Sequence, residues 1–274
     1  MAETIAICNQ KGGVGKTTTA VNLGIGLARE GYRILMVDAD SQGHLTTHLG
    51  WRNHDSLTNT LASLMQMSFE KNVEIYDVQQ SIMRHGEEVD VLAGSLTLAS
   101  LELYLVDAGK DKMCLRNILK VVNDEYDYII IDCQSSFGMM TINALNAADK
   151  VIIPAMPEYL STSGTKELLS IVYNIQKHTN SNLDVAGILI TRADMRCRRL
   201  TPTVISSIRD TVGKYVNVYK NVIPNGADAI YASAEGKSVY AHNKQCKVSK
   251  AYENLVKEVL DNGRGLEKEL KRDF

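Results

Sequence analysis

The feature that most constrains this chain is a glycine-rich octapeptide near its start. Residues 11–18 read KGGVGKTT and stand between an apolar run at 4–8 and a helix-like stretch at 20–28. Glycines let successive backbone N–H groups point inward at phosphate oxygens, and the following helix N-terminus adds its positive dipole end. Strand, loop and helix in this order therefore predict a phosphate-binding loop in an α/β fold.

The side chains of this loop supply most of the predicted nucleotide contacts. Lys16 is expected to reach the β- and γ-phosphates, and the Thr17 hydroxyl is expected to ligate Mg²⁺. The loop departs from the usual pattern, because Gln10 stands where a glycine is expected and a second lysine, Lys11, begins the loop. The predicted nucleotide-binding residues of the loop are Gly12, Gly13, Val14, Gly15, Lys16, Thr17 and Thr18.

Composition favours an ordinary globular protein. The 274 residues are 45% hydrophobic and 23% charged, with a net charge of −2, so any attraction to nucleic acid must come from a local patch. The five cysteines form no C-x-x-C pair, which favours reduced thiols in a cytoplasm over disulfides or a metal site. We expect one nucleotide-binding domain over residues 1–274, without a signal segment or membrane span.

Apolar, β-branched runs alternate with longer helical stretches along the chain. Strands are predicted at 4–9, 33–38, 89–93, 127–132, 150–154, 185–191 and 217–223, and helices at 16–30, 97–106, 112–123, 138–148, 162–178 and 201–212. A last helix has an apolar face from Val248 to Val259, and Gly263 and Gly265 are expected to end it before a short tail at about 263–274. This alternation predicts a doubly wound, mostly parallel sheet flanked by helices. Residues 52–86 are the least readable stretch and are interpreted as helices and loops.

Carboxylates follow two of the predicted strands, at the edge of the sheet where ligands bind. Asp38 and Asp40 come after the second strand, and Asp132 ends the run Tyr128–Ile131. A carboxylate in this position beside a phosphate loop usually holds Mg²⁺, often through water. Asp132 is assigned that role, and Asp40 is assigned to orient a water for in-line attack on the γ-phosphate. For Asp38, a role in the site and a role in capping the next segment both remain open.

Several segments together resemble the ParA-type partition ATPases, which share their deviant phosphate loop with MinD. The segments are KGGVGKTT at 11–18, DADSQG at 38–43, IIID at 129–132, TINAL at 141–145, GILIT at 187–191, VIP at 222–224 and GKSV at 236–239. The resemblance runs from residue 3 to about residue 260 and is greatest to the short, Soj-like subgroup. It supports the nucleotide-binding fold already predicted.

The resemblance implies an ATPase that works as an ATP-dependent homodimer and turns over slowly. Lys11 would be the signature lysine that reaches the partner's phosphates, and Lys11, Lys16 and Asp40 would be the catalytic residues. Thr17, Asp40 and Asp132 would be the Mg²⁺ residues. Arg192 and Pro224 are assigned to the nucleotide pocket. A ParB-like centromere-binding protein would stimulate the hydrolysis of ATP to ADP and phosphate.

Two segments beside the predicted carboxylates depart from the family pattern. The family's D-x-P-P-S is here Asp132-Cys133-Gln134-Ser135-Ser136, and its D-x-D-P-Q-G-N is here D-A-D-S-Q-G-H at 38–44. Proline fixes φ, so its loss from both segments should loosen them. The looser segments should affect the rate of ATP hydrolysis and its stimulation by a partner, but not nucleotide binding.

The family also implies non-specific DNA binding in the ATP state, and hence association with the nucleoid. A basic cluster follows the strand that ends at Thr191, and lysines further along the chain add to it. The candidate DNA-binding residues are Arg196, Arg198, Arg199, Lys220 and Lys237. The alternative is that these are ordinary solvated surface charges. Together these features predict a protein that segregates a plasmid, mobile element or chromosome.

Two other classes of function compete with partition. A MinD-like positioning ATPase would bind membrane through a basic amphipathic C-terminal helix, and the tail does place Leu266, Leu270 and Phe274 on one face. Acidic residues are interleaved among them, so weak insertion is expected and the membrane is not a predicted partner. An iron protein or a tyrosine autokinase is disfavoured, because cluster-forming cysteines and a tyrosine-rich tail are not seen.

Overall fold

The computed structural model describes residues 1–107, 112–157, 163–196 and 200–270, and the strands among them form one eight-stranded sheet. The strands are β1 (Glu3–Ile7), β2 (Ile34–Ala39), β3 (Ile82–His85), β4 (Val89–Leu92), β5 (Tyr128–Cys133), β6 (Lys150–Ala155), β7 (Asp184–Ala193) and β8 (Val218–Pro224). Their order in space is β3-β4-β2-β5-β1-β6-β7-β8. Every pairing is parallel except that of β3 with β4. The predicted fold class is therefore confirmed.

Helices lie on both faces of this sheet. They are α1 (Lys16–Arg29), α2 (His44–His48), α3 (Leu61–Glu70), α4 (Ile75–Gln79), α5 (Thr97–Asp107), α6 (Cys114–Lys120), α7 (Met139–Ala147), α8 (Ser163–His178), α9 (Leu200–Thr211), α10 (Ala227–Glu235), α11 (Val239–Asn243) and α12 (Lys247–Leu270). No helix among the described residues is both long and apolar enough to span a bilayer.

The sheet separates two apolar cores. Successive residues of β5 point to opposite faces, so Ile129 and Ile131 join the core under α3–α9, whereas Ile130 joins the core under α1, α2 and α10–α12. All three isoleucines are fully buried. This two-sided burial explains why the central strands read as continuous apolar runs and could be recognised from sequence.

The register of the central strands brings two carboxylates side by side. In the parallel pairing of β2 with β5, Asp38 is the partner of Asp132, and in the pairing of β1 with β5, Ile7 is the partner of Asp132. The loop after β1 therefore begins next to both carboxylates. All of these positions lie at the carboxyl ends of their strands, as expected for a ligand site in such a sheet.

Side chains form hydrogen bonds with backbone groups of β8, the strand at one edge of the sheet. The backbone amides of Lys220 and Asn221 donate to the Glu258 carboxylate of α12, at 2.7 and 3.1 Å. The Arg209 guanidinium of α9 donates to the carbonyl oxygens of Tyr219 and Lys220, at 3.4 and 2.8 Å. Charged side chains from two helices thus bond backbone groups of β8 where its pairing with β7 is irregular.

Three parts of the sequence-based assignment need correction. The stretch 52–86 contains the antiparallel edge strand β3 as well as α3 and α4, and α10 and α11 were also missed. The last helix does not end at Gly263 and Gly265, because α12 continues to Leu270. Each glycine weakens a helix by only about 1 kcal/mol, and no proline follows to stop the chain. A helix can therefore pass through both positions.

Candidate nucleotide-binding and catalytic site

A cavity of about 990 Å³ opens above the carboxyl ends of the central strands, and the glycine-rich loop forms one wall of it. Gly13 and Gly15 adopt φ values of 73° and 84°, which residues with a Cβ rarely adopt. Gly15 directly precedes α1, so the loop leads into the helix N-terminus as predicted. The loop residues that line the cavity are Gly12, Gly13, Gly15, Lys16, Thr17 and Thr18. Val14 lies buried behind the loop.

The Lys16 ammonium is held at the base of this cavity. Its Nζ donates to Ser135 Oγ at 2.6 Å and to the Lys11 carbonyl at 3.3 Å. Only 7% of Lys16 is exposed, although lysine is one of the residues least often buried. A buried ammonium aimed into a glycine-lined cavity is suited to a phosphate group.

Thr17 lines the cavity and contacts Asp132, which is buried and is not part of the lining. The Thr17 hydroxyl donates to Asp132 Oδ2 at 2.7 Å, while Asp132 Oδ1 is buried and has no hydrogen-bond partner among the described residues. Burial, followed by the nearby charge of Asp38, raises the pKa of Asp132 to about 8. A buried carboxylate oxygen without a partner beside a threonine hydroxyl is a donor set that suits Mg²⁺. The residues present therefore fit the predicted metal.

Asp38 is held entirely by hydrogen bonds within the protein. Its Oδ2 accepts from the Thr46 amide at 2.8 Å and from the Thr46 hydroxyl at 2.6 Å, and its Oδ1 accepts from the Asp40 amide at 3.3 Å. The Thr46 hydroxyl in turn accepts from the Gly94 amide at 3.1 Å. Burial raises the pKa of Asp38 to about 6 despite these donors. Because Thr46 lies in the first turn of α2, the geometry favours the capping role for Asp38.

Asp40 lies in the wall of the cavity, and its carboxylate contacts His44, the first residue of α2. Its Oδ1 accepts from the Gln42 amide at 2.9 Å, and its Oδ2 lies 3.3 Å from His44 Nδ1. Burial acts to raise the pKa of Asp40, but the hydrogen bonds from His44 and Gln42 bring it below its ordinary value. The same contact raises the pKa of His44. Asp40 is therefore an ionised acceptor facing the cavity, as a water-orienting carboxylate must be.

The opposite wall of the cavity is built from β7, β8 and α10. Arg192 has a φ of 52°, unusual for a residue with a side chain, and its guanidinium donates to the Gly13 carbonyl at 2.6 Å. The Thr191 hydroxyl donates to the Val14 carbonyl at 2.7 Å. Both contacts tie the end of β7 to the phosphate loop. Pro224 ends β8 between two residues that line the cavity, Ile223 and Asn225, but is not itself in its lining.

Lys11 is exposed at the mouth of the loop, and its amide donates to Asn9 Oδ1 at 3.0 Å. The exposed position is compatible with the predicted reach toward a second subunit. The assignment of Lys11 to the partner's phosphates stays a prediction, since a single chain is described.

The candidate DNA-binding residues lie on separate elements. Arg196 follows β7 and forms an ion pair with Asp194 at 2.7 Å, and Lys237 follows α10, with its Nζ 3.7 Å from Glu235. Lys220 is exposed on β8. These pairings reduce the net positive charge that Arg196 and Lys237 present. Arg198 and Arg199 lie outside the described residues, as do the side chains of the tail on which membrane binding would depend.

Sequence reasoning missed several cavity residues. They are His44, Thr47, Arg52, Ser135, Thr191, Ile223, Asn225, Gly226, Ala229, Ile230, Ser233, Ala234, Val248 and Tyr252. Ser135 and His44 could have been found, because both replace expected residues within recognised motifs. Most of the others belong to α10 and its flanks, where no motif marks a ligand wall.

Sequence comparison with known proteins finds a matching family and similar partition proteins. A family model described as an AAA domain matches residues 2–185. The sporulation initiation inhibitor protein Soj of Bacillus subtilis is 40% identical over 266 residues, which is 96% of this chain and 100% of Soj. The chromosome partitioning protein ParA of Caulobacter vibrioides is 34% identical over 95% of this chain and 94% of its own.

A solved structure gives the same picture of the fold. Cobyrinic acid a,c-diamide synthase of Mycobacterium smegmatis, with a bound ATP analogue and magnesium, superposes with a TM-score of 0.81. It is 29% identical to this chain and covers 95% of this chain and 94% of its own length.

Proposed function

The chain belongs to the ParA-type family of partition ATPases, and on that premise we propose that it hydrolyses ATP with Mg²⁺ to segregate DNA. The observation that carries the proposal is that Lys16, Thr17 and Asp40 line one cavity beside a glycine-rich loop, with the buried Asp132 carboxylate bonded to Thr17. Cationic, metal-binding and water-orienting groups are the parts that phosphoryl transfer requires. The DNA cargo is a plasmid, a mobile element or a chromosome.

The loop backbone and three side chains, those of Lys16, Thr17 and Asp132, are proposed to position the triphosphate and the metal. The backbone amides of the loop and the Lys16 ammonium would bind the β- and γ-phosphates, while the Thr17 hydroxyl and Asp132 Oδ1, which has no partner among the described residues, would hold the metal. Bound Mg²⁺ would neutralise charge that develops on the phosphate oxygens. The Thr17–Asp132 hydrogen bond keeps both groups together, so that both would be available to the ion.

Asp40 is the group that handles the attacking water. Its carboxylate is ionised because the Gln42 amide and His44 stabilise the charge, and it accepts a hydrogen bond from the water. Orientation of water for in-line attack needs an acceptor fixed in place rather than a strong base. Slow turnover is part of the proposal, as the resemblance to the partition ATPases implies.

Dimerisation, DNA binding and stimulation complete the proposed cycle. Lys11 reaches the phosphates of a second subunit, so ATP joins two chains more strongly than ADP does. The ATP dimer binds DNA without sequence specificity through Arg196, Arg198, Arg199, Lys220 and Lys237, and so lies on the nucleoid in the cytoplasm. A ParB-like centromere-binding protein then speeds hydrolysis and releases the dimer.

Light scattering with Mg-ATP, Mg-ADP and no nucleotide tests the assembly step. Wild type and Asp40→Ala should double in mass only with ATP, and Asp40→Ala should stay dimeric because it binds ATP without hydrolysing it. Lys16→Ala should lose nucleotide binding, and Lys11→Ala should bind ATP as a monomer. Lys120→Ala, at an exposed position on α6, is the matched control and should behave as wild type. One unchanged mass under every condition, in both wild type and Asp40→Ala, contradicts the proposal.

Retention on DNA across a salt series tests the second step. Retention should need ATP and should weaken by about 0.9 log units per log unit of salt for each phosphate neutralised. A salt-independent response removes DNA from the proposal. Co-sedimentation with anionic vesicles in ATP, and no retention on DNA, would favour the MinD-like membrane function instead.

A further inference from the structure

One carboxylate on α5 holds the segment that follows Asp132. The Gln134 side-chain amide donates to both oxygens of Glu102, at 2.9 and 3.1 Å, and the Met140 amide donates to Glu102 Oε1 at 3.2 Å. A single side chain therefore joins the start of this segment to the first turn of α7. We call residues 133–138 the switch segment and the Glu102–Gln134 pair the clasp.

The switch segment is directly connected to the catalytic groups. It begins after Asp132, the metal-facing carboxylate, and it contains Ser135, whose hydroxyl accepts from Lys16 Nζ at 2.6 Å. A shift of this segment would move Ser135 away from Lys16 and change the strand end that holds Asp132. The precision of the site therefore depends on what fixes residues 133–138.

Backbone chemistry alone does not fix this segment. Neither Gln134 nor Ser135 restricts φ as proline does, and Gly138 adds further freedom. The hydrogen bonds of the clasp supply the missing restraint, and they are well sheltered, since only 8% of Gln134 is exposed. A sheltered bond to a charged acceptor is stronger than one between neutral groups.

Gly138 is needed for the clasp to form. A Cβ built at residue 138 would overlap Glu102 Oε1, with the Gln134 side-chain nitrogen 3.2 Å away. The φ of Gly138 is −78°, which any residue can adopt, so steric room rather than backbone freedom explains the glycine. The carboxylate fits between Gln134 and α7 because residue 138 has no side chain.

We propose that Glu102 is a positioning residue for ATP hydrolysis, acting through Gln134 to hold the switch segment in its catalytic conformation. The inference rests on the proposed ATPase function and extends it to a residue of α5 that touches neither nucleotide nor metal. Glu102 acts on turnover and not on nucleotide binding, because the loop and Lys16 bind the phosphates without it.

Steady-state ATPase kinetics on a double-mutant cycle test this proposal. Glu102→Ala and Gln134→Ala should each lower kcat about tenfold and leave KM for ATP within about threefold, and the double variant should be no worse than either alone. Gln134→Pro should restore kcat to Glu102→Ala, because it fixes φ without the clasp. Glu125→Ala is the matched control, since Glu125 accepts a 2.9 Å bond from Gln79 on the surface, and it should have wild-type kcat.

Hydrogen exchange of the nucleotide-free protein gives a readout independent of turnover. Amides of residues 135–138 should exchange faster in Glu102→Ala and recover in Glu102→Ala/Gln134→Pro, with residues 128–131 of β5 unchanged. If the two single variants multiply their effects on kcat, or if Glu102→Ala keeps wild-type kcat, Glu102 does not act through Gln134. A wild-type protein without ATPase activity would instead overturn the proposed function, while faster exchange in Glu102→Ala would still support the clasp.

Discussion

Replacement of Asp132 by asparagine should stabilise the protein without nucleotide and remove the stabilisation that Mg-ATP provides. Burial and the charge of Asp38 raise the pKa of Asp132 from 3.8 to about 8. At pH 8 the ionised form thus opposes folding, and a pKa difference of one between the folded and unfolded states corresponds to about 1.4 kcal/mol. The asparagine side chain keeps an acceptor for Thr17 and carries no charge, so the gain comes from the removal of this repulsion.

The size of the effect follows from two opposing contributions. The rise in the pKa of Asp132 from 3.8 to about 8 sets an upper limit of roughly 6 kcal/mol at pH 8. The new amide group would lie where Asp132 Oδ1 has no partner, and an unsatisfied buried donor costs about 1–3 kcal/mol. We therefore expect Asp132→Asn to raise the free energy of unfolding by on the order of 2–4 kcal/mol, or Tm by ~5–10 °C.

The pH dependence of the free energy of unfolding provides a separate test of whether the Asp132 charge destabilises the fold. The pKa of Asp132 is higher in the folded protein than in the unfolded chain, so the folded state binds more protons between pH 4 and 8. Stability of wild type must then fall as pH rises through this window. Asp38, with a pKa of about 6, contributes in the same direction below pH 6. In Asp132→Asn the free energy of unfolding should change less with pH between pH 6 and 8. In this range the contribution of Asp132 is lost, whereas that of Asp38 lies below pH 6.

Urea denaturation in EDTA, followed by the fluorescence of the single tryptophan, Trp51, measures these quantities. Saturating Mg-ATP should then remove most of this difference in stability, since binding at 100 times Kd adds about 2.7 kcal/mol to wild type and little to the variant. Asp124→Asn, where the side chain is 88% exposed, is the control and should change neither value. An Asp132→Asn protein no more stable than wild type at pH 8 without nucleotide would refute the reasoning.

Two further substitutions test the support of the site. Thr46→Val removes a hydroxyl that donates to Asp38 at 2.6 Å and accepts from a buried amide, so urea denaturation should show a loss of ~2–4 kcal/mol. Gly236→Ala should cost about 1–3 kcal/mol, because its φ is 71° and a Cβ would lie 2.9 Å from the Gly50 Cα. Gly31→Ala, with positive φ but open space around it, should cost about 1 kcal/mol, and an equal loss at both glycines would contradict the steric argument.

The sequence was sufficient for the central part of the fold because its strands are buried on both faces. Runs such as Ile129–Ile131 follow from that burial, and seven strands could be located from them. β3 was missed because its four residues lie at an edge, partly exposed, and include Arg84 and His85. α10 and α11 are short and are fixed by packing against distant segments, which no local pattern reveals.

The site was predictable only where its residues share a motif. The phosphate loop, Asp40 and Asp132 each stand at the end of an apolar strand, so topology alone places them together. Glu102 and Gln134 are separated by 32 residues, and Thr191 and Val14 by 177. Contacts of this kind depend on the angle and register at which helices pack, so they required the structure.

The bonds that Glu258 and Arg209 make to β8 limit how copies of this molecule can associate. A free strand border is a template onto which another chain can add by backbone pairing, a common route to aggregation. Here a carboxylate already occupies amides of Lys220 and Asn221, and a guanidinium occupies carbonyls of Tyr219 and Lys220. A fibre built by continuing the sheet from this border would have to break those bonds first. A filament that uses the β8 border should therefore grow through side-chain surfaces rather than by backbone pairing.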